Sequence, residues 1–312
     1  MGNKKRREAI KRLLKMEKDA LKRVGIVGTG MLGNAVGLNL LDKGYTLTVF
    51  NRTQEKTTGL EKKGAKVAAS PKEVAQESDL VFTVVKDADS VKSVSFEKNG
   101  IIFGKHDKLI VCDMSTINPF DSKNIAQKFL EQGIPMLDTP VMGGPNVAIT
   151  GNLVMMTGGD RVSFEKCKDV FKVIANKVFH LGENGTAHAV KLAMNLQITM
   201  LALALSEGIT LVRAAKIEPK IFLEILNSTY FRTGMSENKA FKMVQGKFDA
   251  TFTLENLKKD INTIEETSKT FGLTLPMVQR AKEIYENAVK DGFGSLDYTG
   301  ILAYIKKINE EK

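Results

Sequence analysis

Cysteine is scarce in this chain of 312 residues, and the two present, Cys112 and Cys167, cannot build a disulfide framework. Their surroundings read as a strand and a helix, so both are expected as reduced thiols in a reducing, cytoplasmic compartment. Histidine is nearly as rare. His106, His180 and His188 are scattered, with no Cys/His cluster, and no metal site is expected. Proline- and serine-rich tracts are missing, as is any internal repeat, which excludes linker-like and solenoid organisation. A metal-ligand or nucleophile constellation is also missing, so hydrolytic chemistry has no support.

The net charge of +10 is concentrated rather than spread. Residues 1–23 carry ten Lys or Arg against Glu8, Glu17 and Asp19, which leaves the rest of the chain close to balance. This segment has no apolar stretch of the secretory kind, and its carboxylates and lack of serine fit a transit peptide poorly. A basic arm of this kind either touches nucleic acid or anionic lipid, or is a solvated helical extension; the second is expected. Residues 192–212 are apolar and long enough to span a bilayer. Asn195, Gln197, Glu207 and the adjacent Lys191 would be costly in lipid, so a buried helix is expected and no membrane partner.

Two domains suit this length. From 23 to 183, strand candidates at 24–27, 46–50, 66–68, 80–85, 109–112, 136–138, 153–157 and 178–181 alternate with helical patterns. Those patterns cover 31–41, 54–62, 71–76, 119–131 and 161–173, with Pro71 and Pro119 placed for first helical turns behind Ser70 and Asn118. Such alternation predicts an α/β class, with a Rossmann-like, doubly wound and largely parallel N-terminal domain. From 184 to 312 helical periodicity takes over, which predicts a long connecting helix and an all-α C-terminal domain; 1–22 stands as a basic extension.

The first strand runs into Gly28-Thr29-Gly30-Met31-Leu32-Gly33 and then a helix. In that context Gly28 permits the tight turn, Gly30 lets a pyrophosphate reach the backbone, and Gly33 allows close helix–strand packing. The amides of Met31 and Leu32 open the helix, where dipole and N–H groups favour an anion. At the end of the second strand an NAD site usually has Asp or Glu. This chain has Asn51-Arg52-Thr53 with Lys56 nearby, and a guanidinium pairs with a 2′-phosphate that a carboxylate would repel. NADP is therefore the expected cofactor, with NAD as the alternative.

Lys191 and Asn195 are four residues apart on a predicted helix and share a face. An ammonium there can stabilise a developing alkoxide and donate its proton; the reverse reaction needs the amine neutral. His188, three residues earlier, could share that face as a proton relay, but is read as a packing or surface residue.

Segments 28–33, 51–53, 113–116, 138–144 and 182–195 occur in the order and spacing of the β-hydroxyacid dehydrogenases, as do Phe252, Lys259-Asp260 and 292–297. Over nearly everything after residue 22 the chain resembles that family, which includes 3-hydroxyisobutyrate dehydrogenases, tartronate semialdehyde reductases and glyoxylate/succinic semialdehyde reductases. The resemblance implies an NAD(P)-dependent oxidoreductase that interconverts a small β-hydroxyacid and its semialdehyde. It implies Lys191 as the general acid/base and Asn195 as the residue orienting substrate. Met142, Gly143, Gly144, Phe252 and Asp260 are implied at the substrate, and Val85, Thr116 and Lys259 join the cofactor residues. A homodimer or homotetramer is expected.

One departure stands out. Met142 takes the place where the family usually has a serine, and a thioether is only a weak acceptor and no donor. The amides of Gly143 and Gly144 could still hold a carboxylate, so either weaker carboxylate binding or a less polar substrate is expected. Arg232, beside Tyr230 and Phe231, is a candidate clamp for a second carboxylate. Two rivals remain: a non-enzymatic dehydrogenase-like scaffold on nucleic acid, and an imine or ketone reductase. Relatives of both kinds typically lack the lysine supplied here by Lys191, so nucleic acid is not expected as a partner.

Overall fold

The computed structural model describes residues 21–310, and the basic extension up to residue 20 lies outside them. The chain divides into two compact units, one ending at His188 and the other beginning at Ala189. The cut expected between 183 and 184 falls slightly before this division, which lies in the first turn of the connecting helix.

Six strands build the first unit's main sheet: β1 (Arg23–Val27), β2 (Thr46–Phe50), β3 (Lys66–Val67), β4 (Leu80–Thr83), β5 (Ile110–Asp113) and β6 (Met136–Asp138). All pair in parallel in the order β3-β2-β1-β4-β5-β6. The helices between them are α1 (Met31–Asp42), α2 (Pro71–Glu77), α3 (Ala88–Phe96) and α4 (Pro119–Glu131). Alternation along the strands sorts the core. Ile26, Leu80, Phe82 and Cys112 pack on one face with Val36 and Leu40 of α1. Val27, Val81 and Val111 face the other way, against Val74 of α2 and Phe129 of α4. Both faces are covered, so the strands read as near-continuous apolar runs.

Ser70 and Asn118 accept the first-turn amides of Glu73 and Phe120, and Pro71 and Pro119 open α2 and α4. The helix α3 lacks an apolar stripe strong enough to stand out in sequence; Asp87 caps it by accepting from Ser90.

Two of the eight expected strands leave the main sheet. β7 (Val141–Met142), β8 (Leu153–Thr157) and β9 (Ala175–His180) form a second sheet, with β7–β8 antiparallel and β8–β9 parallel. The helix α5 (Arg161–Ile174) connects β8 and β9, and its Phe164, Cys167 and Phe171 complete the core on the α1 side.

The helix α6 (Thr186–Ala214) links the units. Among the described residues it alone is long and apolar enough to cross a membrane by length and composition, and a third of its most apolar stretch is buried. In the second unit follow α7 (Pro219–Asn227), α8 (Leu254–Thr270), α9 (Pro276–Ala288) and α10 (Ile301–Glu310). Leu192, Ala202 and Leu203 of α6 pack there with Leu257, Ile261, Tyr285 and Ile305. The register of this helix puts Asn195, Thr199 and Ser206 inside as well, while Val190, Met194, Leu201 and Leu211 remain exposed.

Candidate active site

In the first unit the site is built at the carboxyl ends of β1, β2, β4, β5 and β6. Strand order reverses beside β1, the place where open α/β sheets bind ligands. Gly28 turns the chain at φ +107°, and a side chain there would strike the Val84 carbonyl oxygen at 2.3 Å. A Cβ at Gly33 would lie 2.0 Å from the Gly28 oxygen, so only glycine lets α1 start this close to β1. Gly30 is different: a Cβ there would meet nothing within 4 Å. It is the N-cap of α1 and brings no capping side chain, and the first turn has no acidic residue. Backbone donors, open space and the positive end of the helix dipole together fit a pyrophosphate.

Asn51 ties this loop to the end of β2. Its Oδ1 accepts from the Thr29 amide at 3.0 Å, and its Nδ2 donates to the Thr53 carbonyl at 2.8 Å. The Thr29 hydroxyl donates to the Lys56 carbonyl at 3.1 Å. Arg52, Thr53 and Lys56 are exposed beside this clasp. At the end of β4, the Val85 amide donates to the Ser115 hydroxyl at 3.1 Å, which fixes the segment before Thr116.

Asp113 and Asp138 end neighbouring strands and are fully buried. Asp113 accepts from the Thr83 hydroxyl at 2.7 Å and the Ser115 amide at 3.2 Å. Asp138 accepts from the Ser122 hydroxyl at 2.6 Å, from Asn184 at 3.1 Å and from the Gly185 amide. Burial pushes the Asp113 carboxyl above its ordinary value, with His188 and the bonds from Thr83 and Ser115 opposing it. Beyond Asp138 the chain passes through Thr139 and Pro140 to Met142, half-buried on β7. Gly143 turns at φ +117°, and a Cβ at Gly144 would meet nothing within 4 Å.

Four of the expected residues gather in the second unit. Asn195 donates to Asp260 at 2.6 Å, and Lys259 forms an ion pair with the other Asp260 oxygen at 2.6 Å. Both Asn195 and Asp260 are buried, and the Asn195 Oδ1 has no partner, which leaves an acceptor inside the cluster. Lys191 shares this electrostatic environment. Burial brings its ammonium down to about 8; Asp260 opposes that shift and the Lys259 charge adds to it. The Phe252 ring lies 6.1 Å from that of Tyr298. Arg232 is exposed with its Nε 3.8 Å from Glu237, and Tyr230 and Phe231 are exposed beside it.

A glycine cradle on a doubly wound sheet and a part-buried lysine beside an Asn–Asp–Lys group are the parts of a nicotinamide-dependent dehydrogenase. Sequence comparison decides the family. The NAD binding domain of 6-phosphogluconate dehydrogenase matches residues 23–182, and the NAD-binding domain of NADP-dependent 3-hydroxyisobutyrate dehydrogenase matches residues 185–305. The chain belongs to the β-hydroxyacid dehydrogenase family. It is 32% identical to the uncharacterized oxidoreductase YfjR of Bacillus subtilis, over 91% of this chain and 100% of that one. It is 29% identical to glyoxylate/succinic semialdehyde reductase 2 of Arabidopsis thaliana, over 91% of this chain and 79% of the relative. The crystal structure of 3-hydroxyisobutyrate dehydrogenase from Salmonella typhimurium is similar at a TM-score of 0.82 and 26% identity, covering 90% of this chain and 99% of that one. The protein is an NAD(P)-dependent hydroxyacid dehydrogenase.

His188, which the sequence alone reads as a packing or surface residue, has a fully buried ring with Nε2 3.6 Å from Asp113 and 3.9 Å from Asp138. The signal available was two aspartates closing adjacent strand candidates, which the topology brings side by side.

Proposed function

We propose that this dehydrogenase works as an NADP-preferring reductase of a small aldehyde-acid, with Lys191 as the general acid. The observation that carries the reading is the Lys191 ammonium, brought down to about 8 beside Asp260 and Lys259. At that value the group is mostly protonated at neutral pH and still gives up its proton readily. NADPH, when bound, supplies the hydride. Lys191 donates a proton to the carbonyl oxygen of the substrate and is left as the neutral amine; in the oxidative direction the same amine accepts the hydroxyl proton. The Asn195 Oδ1 is available as an acceptor for the hydroxyl that forms. Gly143 and Gly144 are the residues for the substrate carboxylate, with Met142 offering no hydroxyl. Phe252 is assigned to the substrate and Thr116 and Lys259 to the cofactor, as the family pattern implies.

For the cofactor, Gly28, Gly30, Met31, Leu32 and Gly33 hold the pyrophosphate. Arg52 and Thr53 receive the 2′-phosphate, and Asn51 and Val85 shape the ends of β2 and β4. The exposed apolar side chains of α6 support a homodimer or homotetramer, and the cytoplasm is the proposed compartment.

The test is NADPH and NADH oxidation with glyoxylate and with succinic, methylmalonic and tartronic semialdehydes, with Lys191→Ala as the blank. Lysine-dependent turnover of one aldehyde, faster with NADPH, is expected. Turnover that survives Lys191→Ala would overturn the acid role, and equal rates with NADH would overturn the cofactor preference.

A further inference from the structure

The His188 side chain is fully buried at the sheet's carboxyl edge, and neither ring nitrogen has a hydrogen-bond partner. Its Nε2 faces the ends of two strands at once, 3.6 Å from Asp113 Oδ2 and 3.9 Å from Asp138 Oδ1. Asp113 Oδ2 likewise has no hydrogen-bond partner. Two fully buried carboxylates on adjacent strands repel each other, and an imidazole between them is the group that can relieve this by donating toward either. Each carboxylate also governs a loop of the site. Asp113 holds the Ser115 amide, one residue before Thr116. Asp138 accepts from Gly185 and Asn184, which lead into α6, and it precedes the loop to Met142.

We propose that His188 is a positioning residue: lying between the carboxylates that end β5 and β6, it anchors the first turn of α6 to the loops that carry Thr116 and Met142. The consequence follows along a single helix. Lys191 stands three residues after His188 on the same helix. Part of the inference rests on the proposed role of Lys191, and the experiment separates the two.

His188→Gln, Asp113→Asn and the double variant are compared in the full-length protein. NADPH affinity, kcat with the best aldehyde, and amide hydrogen exchange over 114–116, 139–143 and 186–192 are read for each. His188→Gln is expected to lower kcat about tenfold, a loss of about 1.4 kcal/mol, with NADPH affinity unchanged and faster exchange in all three segments. Adding Asp113→Asn, which removes one of the facing carboxylates, should cost less than the sum of the single effects, because the two sites share one interaction. If His188→Gln does not fold, His188→Asn carries the same comparison. Exchange confined to its wild-type rate in these segments, or strictly additive effects, overturns the anchor. Absence of turnover in the wild-type protein would instead count against the aldehyde reductase reading, and the exchange measurement would still decide on His188.

Discussion

Asn195 donates its amide to Asp260 across 65 residues of sequence, at 2.6 Å and out of contact with water. Asp260 thereby holds Asn195 on one oxygen and Lys259 on the other, and its charge acts on Lys191. The carboxylate and the second lysine thus pull on the same ammonium in opposite directions.

The pH dependence follows with a definite sign. With Lys191 as the proposed general acid, reduction needs it protonated, so kcat/KM for the aldehyde should be level in mild acid and fall as pH rises through about 8. Oxidation of the hydroxyacid should rise through the same range. Asp260 raises the Lys191 value, so Asp260→Asn should move both limbs to lower pH; Lys259 lowers it, so Lys259→Met should move them higher. Steady-state pH profiles of the three proteins check this, and shifts of the same sign in both variants would contradict it.

Arg52 is exposed beside the clasp that Asn51 makes with Thr29. Because Asn51 already uses its oxygen on the loop, a 2′-phosphate has the guanidinium as its natural partner. Arg52→Ala should weaken NADPH binding by about 10- to 100-fold, in line with about 1.5–3 kcal/mol for a charge-assisted bond, and leave NADH nearly unchanged. Titration of nucleotide fluorescence measures both; equal losses would remove the phosphate assignment.

The glycine loop offers a contrast between two positions three residues apart. Gly33→Ala places a methyl 2.0 Å from a backbone oxygen, so the start of α1 must shift, and a loss of about 2 kcal/mol or more in stability is expected. Gly30→Ala meets nothing in the protein itself. Its stability should stay within about 1 kcal/mol of the parent, as befits an exchange at a helix N-cap, while nucleotide binding is lost to the methyl group. Thermal unfolding with and without NADPH separates the two effects.

The same elements show what sequence can and cannot carry. β1, its glycine turn and α1 were legible because the strand, the turn and the helix start are all local, with Gly28 at positive φ and Gly33 against the Gly28 oxygen. Lys191 and Asn195 were legible as a pair because one helical turn separates them. The placement of β8 and β9 was not, since an apolar run gives a strand but neither its partner nor its direction, and the two-residue β7 has too short a pattern to see. His188 escaped for a deeper reason. Its partners Asp113 and Asp138 are adjacent only because β5 and β6 pair in parallel, so its environment exists at the level of topology and nowhere in the residues around it.

Met142 tests how far the pocket has left the family pattern. It sits half-buried on β7, paired in register with Val154, and is followed by the open turn at Gly143 and Gly144. A serine there would add a donor beside a carboxylate without disturbing the strand register, because the backbone pairing of β7 does not use the side chain. Met142→Ser should therefore raise kcat/KM for short aldehyde-acids by about tenfold, the worth of one added hydrogen bond to a charged group, chiefly through KM. For aldehydes bearing an apolar group in place of the carboxylate, it should lower kcat/KM, because a methionine surface is lost. Parallel assays on a carboxylate aldehyde and an uncharged one of similar size read both effects. A gain on both substrates, or on neither, would mean that Met142 does not face the substrate.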